Sequence, residues 1–335
     1  MSNVTADTTA STLPPAPHNP WRELLTGSVA SITFTFIAVV AVGWFWVGPK
    51  FLSFGNISIM GTFLIVPLIV GAFSGMALLS GVVDLSIGSM VGFSSAVFAL
   101  LISLGWDPAS AAAVTLCACL CFGAINAIAI VGFGAEPIAA TLGMLVALRG
   151  IAWVLLGSQG AIFAFNIDMF NLVSTTVFGL PLFFLLAILL TAIAALIVTK
   201  TRVGRHVQAV GGDDKAAGRA GISVKKVRVA ALLLSSFGAG LGGIVYAAQL
   251  GSAARATGVG LEFQVYAALM IGGYSILRGG VGNPVGGALG LLAVAGVSNI
   301  LDLKAISPYY VNIIVGLLLL AAVLLDRLRG GDAYE

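Results

Sequence analysis

The strongest constraint on this chain is the recurrence of apolar runs of about 20 residues along most of its length. Hydrophobic residues make up 59% of the 335 residues, charged residues make up only 9%, and the mean hydropathy is +1.09. Soluble domains carry about 25% charged residues. Runs of this length fit helices that cross a bilayer, whereas barrel strands alternate apolar and polar residues. The sequence therefore predicts an all-α, polytopic integral membrane protein.

About ten transmembrane helices are expected, and the third and eighth are short or interrupted by Gly and Ser, so that one of them could be re-entrant. They lie roughly at 28–48, 59–80, 85–104, 108–131, 137–157, 178–199, 228–250, 262–277, 282–301 and 307–326. Residues 28–327 form a single transmembrane domain. Residues 1–27 are expected to be a disordered cytoplasmic tail without the basic start of a signal peptide, and 328–335 a short cytoplasmic tail.

The distribution of Lys and Arg predicts the orientation of the chain. With the N-terminus inside, the inner segments hold twelve basic residues, which are Arg22, Arg278, Arg327, Arg329 and the eight between Lys200 and Arg228. The outer segments hold three, which are Lys50, Arg255 and Lys304. Basic residues concentrate in cytoplasmic loops. Both termini are therefore expected in the cytoplasm, in a bacterial inner membrane.

Residues 200–228, the basic segment, are patterned like a short helix. Asp213 or Asp214 can cap a helix start, residues 215–220 favour helix, and Gly221 can end it. About eight residues span about 12 Å, and so short a helix is marginal in water unless it lies on a surface. Ala216 and Ala217 permit close approach. The alternative is a solvated basic loop that touches anionic lipid.

Two further segments join or interrupt apolar runs. In 81–89, GVVDLSIGS, Asp84 can cap the next helix, and the segment is either a capped tight hairpin or a discontinuous helix along a pathway. In 271–287, IGGYSILRGGVGNPVGG, Pro284 stands where a helix can begin. Gly-rich interruptions of this kind occur in transporters beside a midplane pathway.

Few polar residues lie at membrane depth, and these are the candidates for a translocation pathway or for gating. They are Asp84, Ser86, Asn126, Thr141, Arg149, Gln264 and Asn299. An arginine inside a span costs roughly 2.5–3.5 kcal/mol on insertion, so Arg149 should face protein or water, with a structural partner as the alternative role. Asn126 and Asn299 could equally hold helices together.

Residues for chemistry are missing from the sequence. It has no phosphate-binding GxxxxGK[ST] motif, no Ser/His/Asp set and no metal cluster, and Cys117, Cys119 and Cys121 fit small apolar positions in one helix. We therefore expect no catalytic, cofactor or metal site, and no enzyme. The net charge of +3 says nothing of nucleic acid, which is not expected as a partner.

Three motifs in order resemble the permease subunits of ribose-type ABC importers for monosaccharides, which are distantly related to branched-chain amino acid permeases. GVVDLSIGS resembles the family's GGIDLSVGS, with Val82 in place of the second Gly. The Gly-rich segment resembles IGGxSxxGGxGxxxG, with Arg278 at a variable position. In the basic segment nine residues match: Thr201, Gly204, Arg205, Ala209, Gly211, Ala216, Ala217, Gly221 and Ile222, while Asp213 stands where Asn is usual. The resemblance runs from about residue 50 to residue 327.

The resemblance implies a coupling helix formed by Asp213, Ala216, Ala217, Gly221 and Ile222, on which ABC ATPase subunits dock. It also implies a second permease copy or a related permease, and a periplasmic or lipid-anchored solute-binding protein. ATP and Mg²⁺ would be used by the partner ATPase, and a small polar solute such as a monosaccharide, polyol or furanone would be carried across the lipid membrane.

Other interpretations stay open. The solute could be a branched-chain amino acid or a nucleoside, although GVVDLSIGS favours a sugar. A stand-alone secondary transporter usually needs a coupling carboxylate deep in a span, and the acidic residues of this chain are expected mostly at span ends. A membrane scaffold without transport is not favoured by the Gly-rich, broken spans.

Overall fold

The computed structural model describes residues 28–307 and 309–330, which form thirteen α-helices and four short strands. The predicted tail 1–27 lies outside the described residues. Of the predicted tail 328–335, residues 328–330 belong to the last helix and 331–335 lie outside the described residues. The helices are α1 Ser28–Val47, α2 Phe54–Leu79, α3 Ile87–Ser103, α4 Pro108–Ala127, α5 Pro137–Leu156, α6 Ile167–Ser174, α7 Leu182–Lys200, α8 Arg202–Gly212, α9 Asp214–Arg219, α10 Val224–Leu250, α11 Leu261–Ile271, α12 Pro284–Leu303 and α13 Tyr309–Gly330.

The predicted all-α membrane fold is confirmed. Within the described residues, α2, α5, α7, α10 and α12, together with α4 and its π-helical continuation Ile128–Gly132, are long and apolar enough to cross a membrane. Shorter apolar helices occur in α1, α3, α11 and α13. Each of the ten predicted spans therefore corresponds to one apolar helix, and the third and eighth are indeed short, with 17 and 11 residues.

Several boundaries differ from the prediction. The eighth span was expected to reach residue 277, but α11 ends at Ile271 and residues 272–283 are irregular. The sixth was expected from residue 178, but residues 176–181 form a two-stranded hairpin, β2 Thr176–Val177 and β3 Leu180–Pro181. The segment 158–177 also contains β1, Ala161–Phe163, which pairs antiparallel with β4, Ser252–Ala254. The pair of β1 and β4 joins the C-terminal ends of α5 and α10.

Local chemistry explains why the helices begin and end where they do. Asp107 caps α4, accepting from the backbone N–H groups of Ala109 and Ser110, and Pro108 occupies the first turn. The hydrogen bond from the Ser110 hydroxyl, followed by the one from its backbone N–H, lowers the pKa of the Asp107 carboxyl. At the end of α2, Gly81 adopts φ +79°, and the N–H of Val82 donates to the carbonyl of Ala77 at 3.0 Å. This is a Schellman-type end, which a residue with a Cβ would strain.

Helix α10 forms the centre of the bundle and packs against α2, α3 and α4. Its glycines permit this, because a Cβ at Gly238 would overlap Phe73 of α2 and one at Gly243 would overlap the α3 backbone at Val91. The Ser94 hydroxyl of α3 donates to the carbonyl of Gly240 at 2.5 Å. Small residues and short interhelical hydrogen bonds are how helices associate where lipid supplies no hydrophobic drive.

Candidate functional site

A cavity of about 530 Å³ lies between α2, α10, α11 and α12. Its lining residues on α10 are Tyr246, Gln249 and Leu250, which lie at the end of that helix farthest from the basic segment. On α12 they include Ser298, Asn299 and Asp302, again near the C-terminal end. The cavity therefore lies in the half of the bundle opposite the basic segment.

Apolar side chains form the inner wall of this cavity, and polar groups are grouped on α10, α11 and α12. Leu64, Val66 and Leu291 are buried lining residues. Pro67 of α2 has no N–H, which leaves the carbonyl of Phe63 without its usual helical donor on the same wall. The volume is in the range of small-molecule sites, which combine apolar walls with a few polar groups.

Two glutamines in the cavity have side-chain amides with no partner in the described part of the protein. Gln249 and Gln264 are both half-buried. Neither side chain makes a hydrogen bond to another described residue, and the same holds for the Tyr246 hydroxyl and the Asp302 carboxylate. These donors and acceptors are thus free to bind a polar solute.

Asn299 has a double role. Its side-chain amide donates to Oδ1 of Asn56 at 2.9 Å and accepts from Nδ2 of Asn56 at 2.8 Å. This reciprocal pair joins α12 to α2 beside the cavity that Asn299 also lines. Asn299 therefore both holds two helices together and lines the cavity.

Asp84 is the centre of a fully buried polar network, which we name the Asp84 clamp: Asp84, Ser86, Asn126, Thr141, Ser235 and Tyr266. The Asp84 carboxylate accepts from the Ser86 hydroxyl at 2.6 Å and from the Ser235 hydroxyl at 2.8 Å. The Tyr266 hydroxyl donates to the carbonyl of Asp84 at 2.9 Å and accepts from its N–H at 3.0 Å. The non-helical segment 81–86 is thereby fixed to α10 and α11.

The other members of the Asp84 clamp hold the same segment to α4 and α5. Asn126 donates to the Ser86 hydroxyl at 3.1 Å, and Thr141 accepts from the N–H of Leu85 at 3.2 Å. The sequence singled out Asp84, Ser86, Asn126 and Thr141, and the structure brings all four together. It missed Ser235 and Tyr266, which look in sequence like ordinary residues of apolar helices.

The position of the clamp corrects the expectation that Asp84 caps the next helix. Asp84 does not cap α3 by bonding its first-turn amides, and segment 81–86 is a mostly buried, non-helical connection between α2 and α3. Asp84, Ser86, Asn126 and Thr141 are at most 1% exposed and are not among the residues that line the cavity. Of the seven candidates, Gln264 and Asn299 line it. A part for the clamp in gating stays a prediction.

Arg149 has a carboxylate partner, which fits the structural role that the sequence left open for it. Its Nη2 lies 3.5 Å from Oε1 of Glu262, which is 1% exposed. A Cβ at Gly88 would overlap Glu262, so the glycine in the first turn of α3 makes room for this carboxylate. The helix N-terminus offers it a favourable dipole. Glu262 and Asp84 are thus buried carboxylates, and both stand next to the start of a helix, as expected for the acidic residues of this chain.

The basic segment folds into two helices rather than one. The predicted short helix is α9, which has six residues instead of about eight. Asp213 caps it by accepting from the N–H of Ala216 at 2.9 Å, and Gly221 ends it at φ +84°. Ile222 donates back to the carbonyl of Ala217 at 3.0 Å. The amphipathic helix α8 before it was not predicted, since its glycines weakened the helical pattern.

The two alanines of α9 face different ways. Ala217 is 4% exposed and packs against the protein, whereas Ala216, Gly218 and Gly221 are exposed. The expectation that both alanines are presented to a partner is therefore wrong for Ala217, which anchors the helix. Asp214 pairs with Arg228 of α10 at 3.2 Å and fixes α9 further.

The end of α8 is wedged between two backbone segments of the bundle. A Cβ at Gly211 would overlap the carbonyl of Leu79 and the N–H of Gly280. These two groups are themselves joined by a hydrogen bond of 2.9 Å. The basic segment thus contacts both the end of α2, just before the Asp84 clamp, and the Gly-rich segment 272–283.

The Gly-rich segment is itself held by Asp326 of α13, a residue the sequence did not single out. Its Oδ2 accepts from the Ser275 hydroxyl at 2.7 Å and from the N–H of Ile276 at 3.2 Å. Its Oδ1 lies 3.6 Å from Nη2 of Arg278. A single carboxylate therefore accepts from three donors of this turn, the third being the N–H of Leu277.

Comparison with known proteins defines the class. Residues 56–323 match the model of the branched-chain amino acid transport system / permease component family. This match covers nearly all the transmembrane helices, including the Asp84 clamp, the cavity and the basic segment. The chain belongs to this family of transporter permeases.

Relatives with known names are similar over most of the chain. It is 31% identical to the D-allose transport system permease protein of Escherichia coli strain K12, over 88% of this chain and 91% of the relative. It is 30% identical to the ribose import permease protein of Haemophilus influenzae, over 88% and 90%. It is also 30% identical to the autoinducer 2 import system permease protein of Escherichia coli O9:H4, over 87% and 86%. No solved structure matches the chain.

Proposed function

We propose that this chain is the membrane permease subunit of an ATP-driven importer for a monosaccharide or a similar small polar solute. The observation that carries the proposal is α9, a capped helix fixed to the bundle with its outer side exposed. A helix this short is not stable alone, and here it is held in place by the buried Ala217 and by the ion pair of Asp214 with Arg228. That is the arrangement a docking element for a separate ATPase requires.

The solute side of the proposal rests on the cavity and on the relatives named for D-allose, ribose and autoinducer 2. Free amides of Gln249 and Gln264 can bond hydroxyl groups, and Phe63 and Tyr246 offer apolar ring faces. A branched-chain amino acid would bring a carboxylate. No Lys or Arg is among the described cavity-lining residues to receive it, so an amino acid is the weaker candidate.

Side-chain and backbone contacts connect the docking helix α9 to the rest of the bundle. A push on α9 is passed to α10 through Asp214 and Arg228, and to α2 and residues 279–280 through Gly211. From the end of α2 it reaches the Asp84 clamp, which fixes the non-helical segment 81–86. In this proposal the clamp gates the pathway, while Gln264 and Asn299 line it.

The assembly would contain two ATPase subunits, which use ATP and Mg²⁺, and a second permease copy or a related permease. A solute-binding protein would deliver the solute to the cavity end of the bundle. The proposed location is the bacterial inner membrane, with the basic segment and both termini in the cytoplasm.

A charge placed on the exposed side of α9 tests the docking role. Ala216→Glu should abolish co-purification of the ATPase subunit, because a carboxylate would be buried in the interface without a partner. Ala217→Glu is unsuitable, since Ala217 is buried in the permease itself. The matched control is Ala209→Glu, an exposed alanine of α8, which should retain the ATPase. If the Ala216→Glu complex purifies whole, α9 is not the docking element.

A further inference from the structure

Among the described residues that line the cavity, Asp302 is the one with an acidic or basic side chain. It stands in the last turn of α12, at the negative end of the helix dipole. Its side chain is exposed and makes no ion pair with another described residue. Arg255, next to the lining residue Ala256, and Lys304, two residues after Asp302, do not themselves line the cavity.

We propose that Asp302 makes this cavity a charge filter, which admits uncharged solutes and repels anionic ones such as sugar phosphates and sugar acids. The exposed Asp302 lies at the end of α12, whereas Leu64, Val66 and Leu291 form the buried inner wall, so the carboxylate acts on solutes at the outer end of the cavity. The free amides of Gln249 and Gln264 then meet a solute whose hydroxyls they can bond. The identity of the solute in this inference rests on the proposed function, whereas its test uses no solute.

The test measures the electrostatic potential inside the cavity with two reagents of similar size. Gln249→Cys is introduced into the full-length chain with Cys117, Cys119 and Cys121 changed to Ala. The thiol is then modified with cationic MTSET or anionic MTSES, the trimethylammonium-ethyl and sulfonato-ethyl methanethiosulfonates. The ratio of the two rates, divided by the ratio for free 2-mercaptoethanol, reports the potential at residue 249.

The charge filter predicts that the MTSET-to-MTSES rate ratio at residue 249 exceeds the same ratio for free 2-mercaptoethanol. Asp302→Asn should lower this ratio roughly tenfold, because one negative charge speeds the cationic reagent and slows the anionic one. Asp302→Lys should invert the preference. The matched control is Asp168→Asn in α6, outside the cavity, which should leave the ratio unchanged.

The proposal is overturned if neither reagent reaches residue 249, or if neither Asp302 variant moves the ratio. The readout needs no ATPase, binding protein or solute. A permease that shows the filter but no ATP-driven uptake would therefore contradict the proposed function alone, and uptake without the filter would contradict this inference alone.

Discussion

At the residue scale, the Asp84 clamp shows what a buried carboxylate can do in a transporter bundle. Asp84 has fixed hydroxyl donors, Ser86 and Ser235, and its backbone is bonded on both sides by Tyr266. A buried polar group without partners costs about 1–3 kcal/mol. The clamp therefore holds the non-helical segment 81–86 in one conformation, and its opening is the step that a gate in this position would require.

Removing the carboxylate should destabilise the bundle. Asp84→Ala leaves the Ser86 and Ser235 hydroxyls buried without their acceptor, so the expected loss is about 2–4 kcal/mol. Asp84→Asn, which keeps one acceptor oxygen, should lose less. Thermal unfolding of the detergent-purified permease measures both, with exposed Asp168→Asn as the control. Equal midpoints for Asp84→Ala and wild type would show that the clamp does not stabilise the fold.

A single amide in the cavity can be tested by its effect on transport. Gln264→Leu keeps the approximate size of the side chain but removes its donor and acceptors, so uptake at saturating binding protein should fall roughly fivefold, as expected for about 1 kcal/mol. Gln159→Leu, at an exposed position between α5 and β1, is the matched control. An unchanged rate for Gln264→Leu would remove Gln264 from the pathway.

At the element scale, the sequence predicted what depends on local pattern and failed where packing decides. The lengths of the apolar runs predicted the ten spans. The capping residues Asp213 and Gly221 predicted the position of α9. The pattern could not show that α11 stops at Ile271, because backbone contact of Gly272 with Gly286 sets that end. Nor could it show the inward face of Ala217, or the pairs Asn56–Asn299 and Arg149–Glu262, which join distant segments.

The junction between α8 and α2 gives a prediction at this scale. Gly211→Ala would place a Cβ on the Leu79 carbonyl and the Gly280 N–H, so the backbone segments must separate. We expect a lower midpoint of thermal unfolding, by several degrees for a loss of 1–3 kcal/mol. Gly218→Ala in exposed α9 meets nothing within 4 Å and should preserve or raise the midpoint. Identical behaviour of the two variants would mean that the close packing at Gly211 is not essential.

At the scale of the whole molecule, the two sites lie at opposite ends of the bundle. The polar cavity lies at the far ends of α10 and α12, and α9 lies before the start of α10. Between them stands the Asp84 clamp, joined to α10 by Ser235 and to α11 by Tyr266. This separation suits a machine in which solute enters from one side and force is applied on the other.

The central claim is that transport through this chain is driven by a separate ATPase docked on α9, and uptake into proteoliposomes tests it most directly. The permease is reconstituted with its ATPase and binding protein, and uptake of labelled D-ribose and D-allose is followed with ATP, without ATP, and with an ion gradient in place of ATP. The account predicts uptake of at least one sugar that requires ATP and is lost in Ala216→Glu. Uptake driven by the ion gradient with the ATPase absent would contradict it.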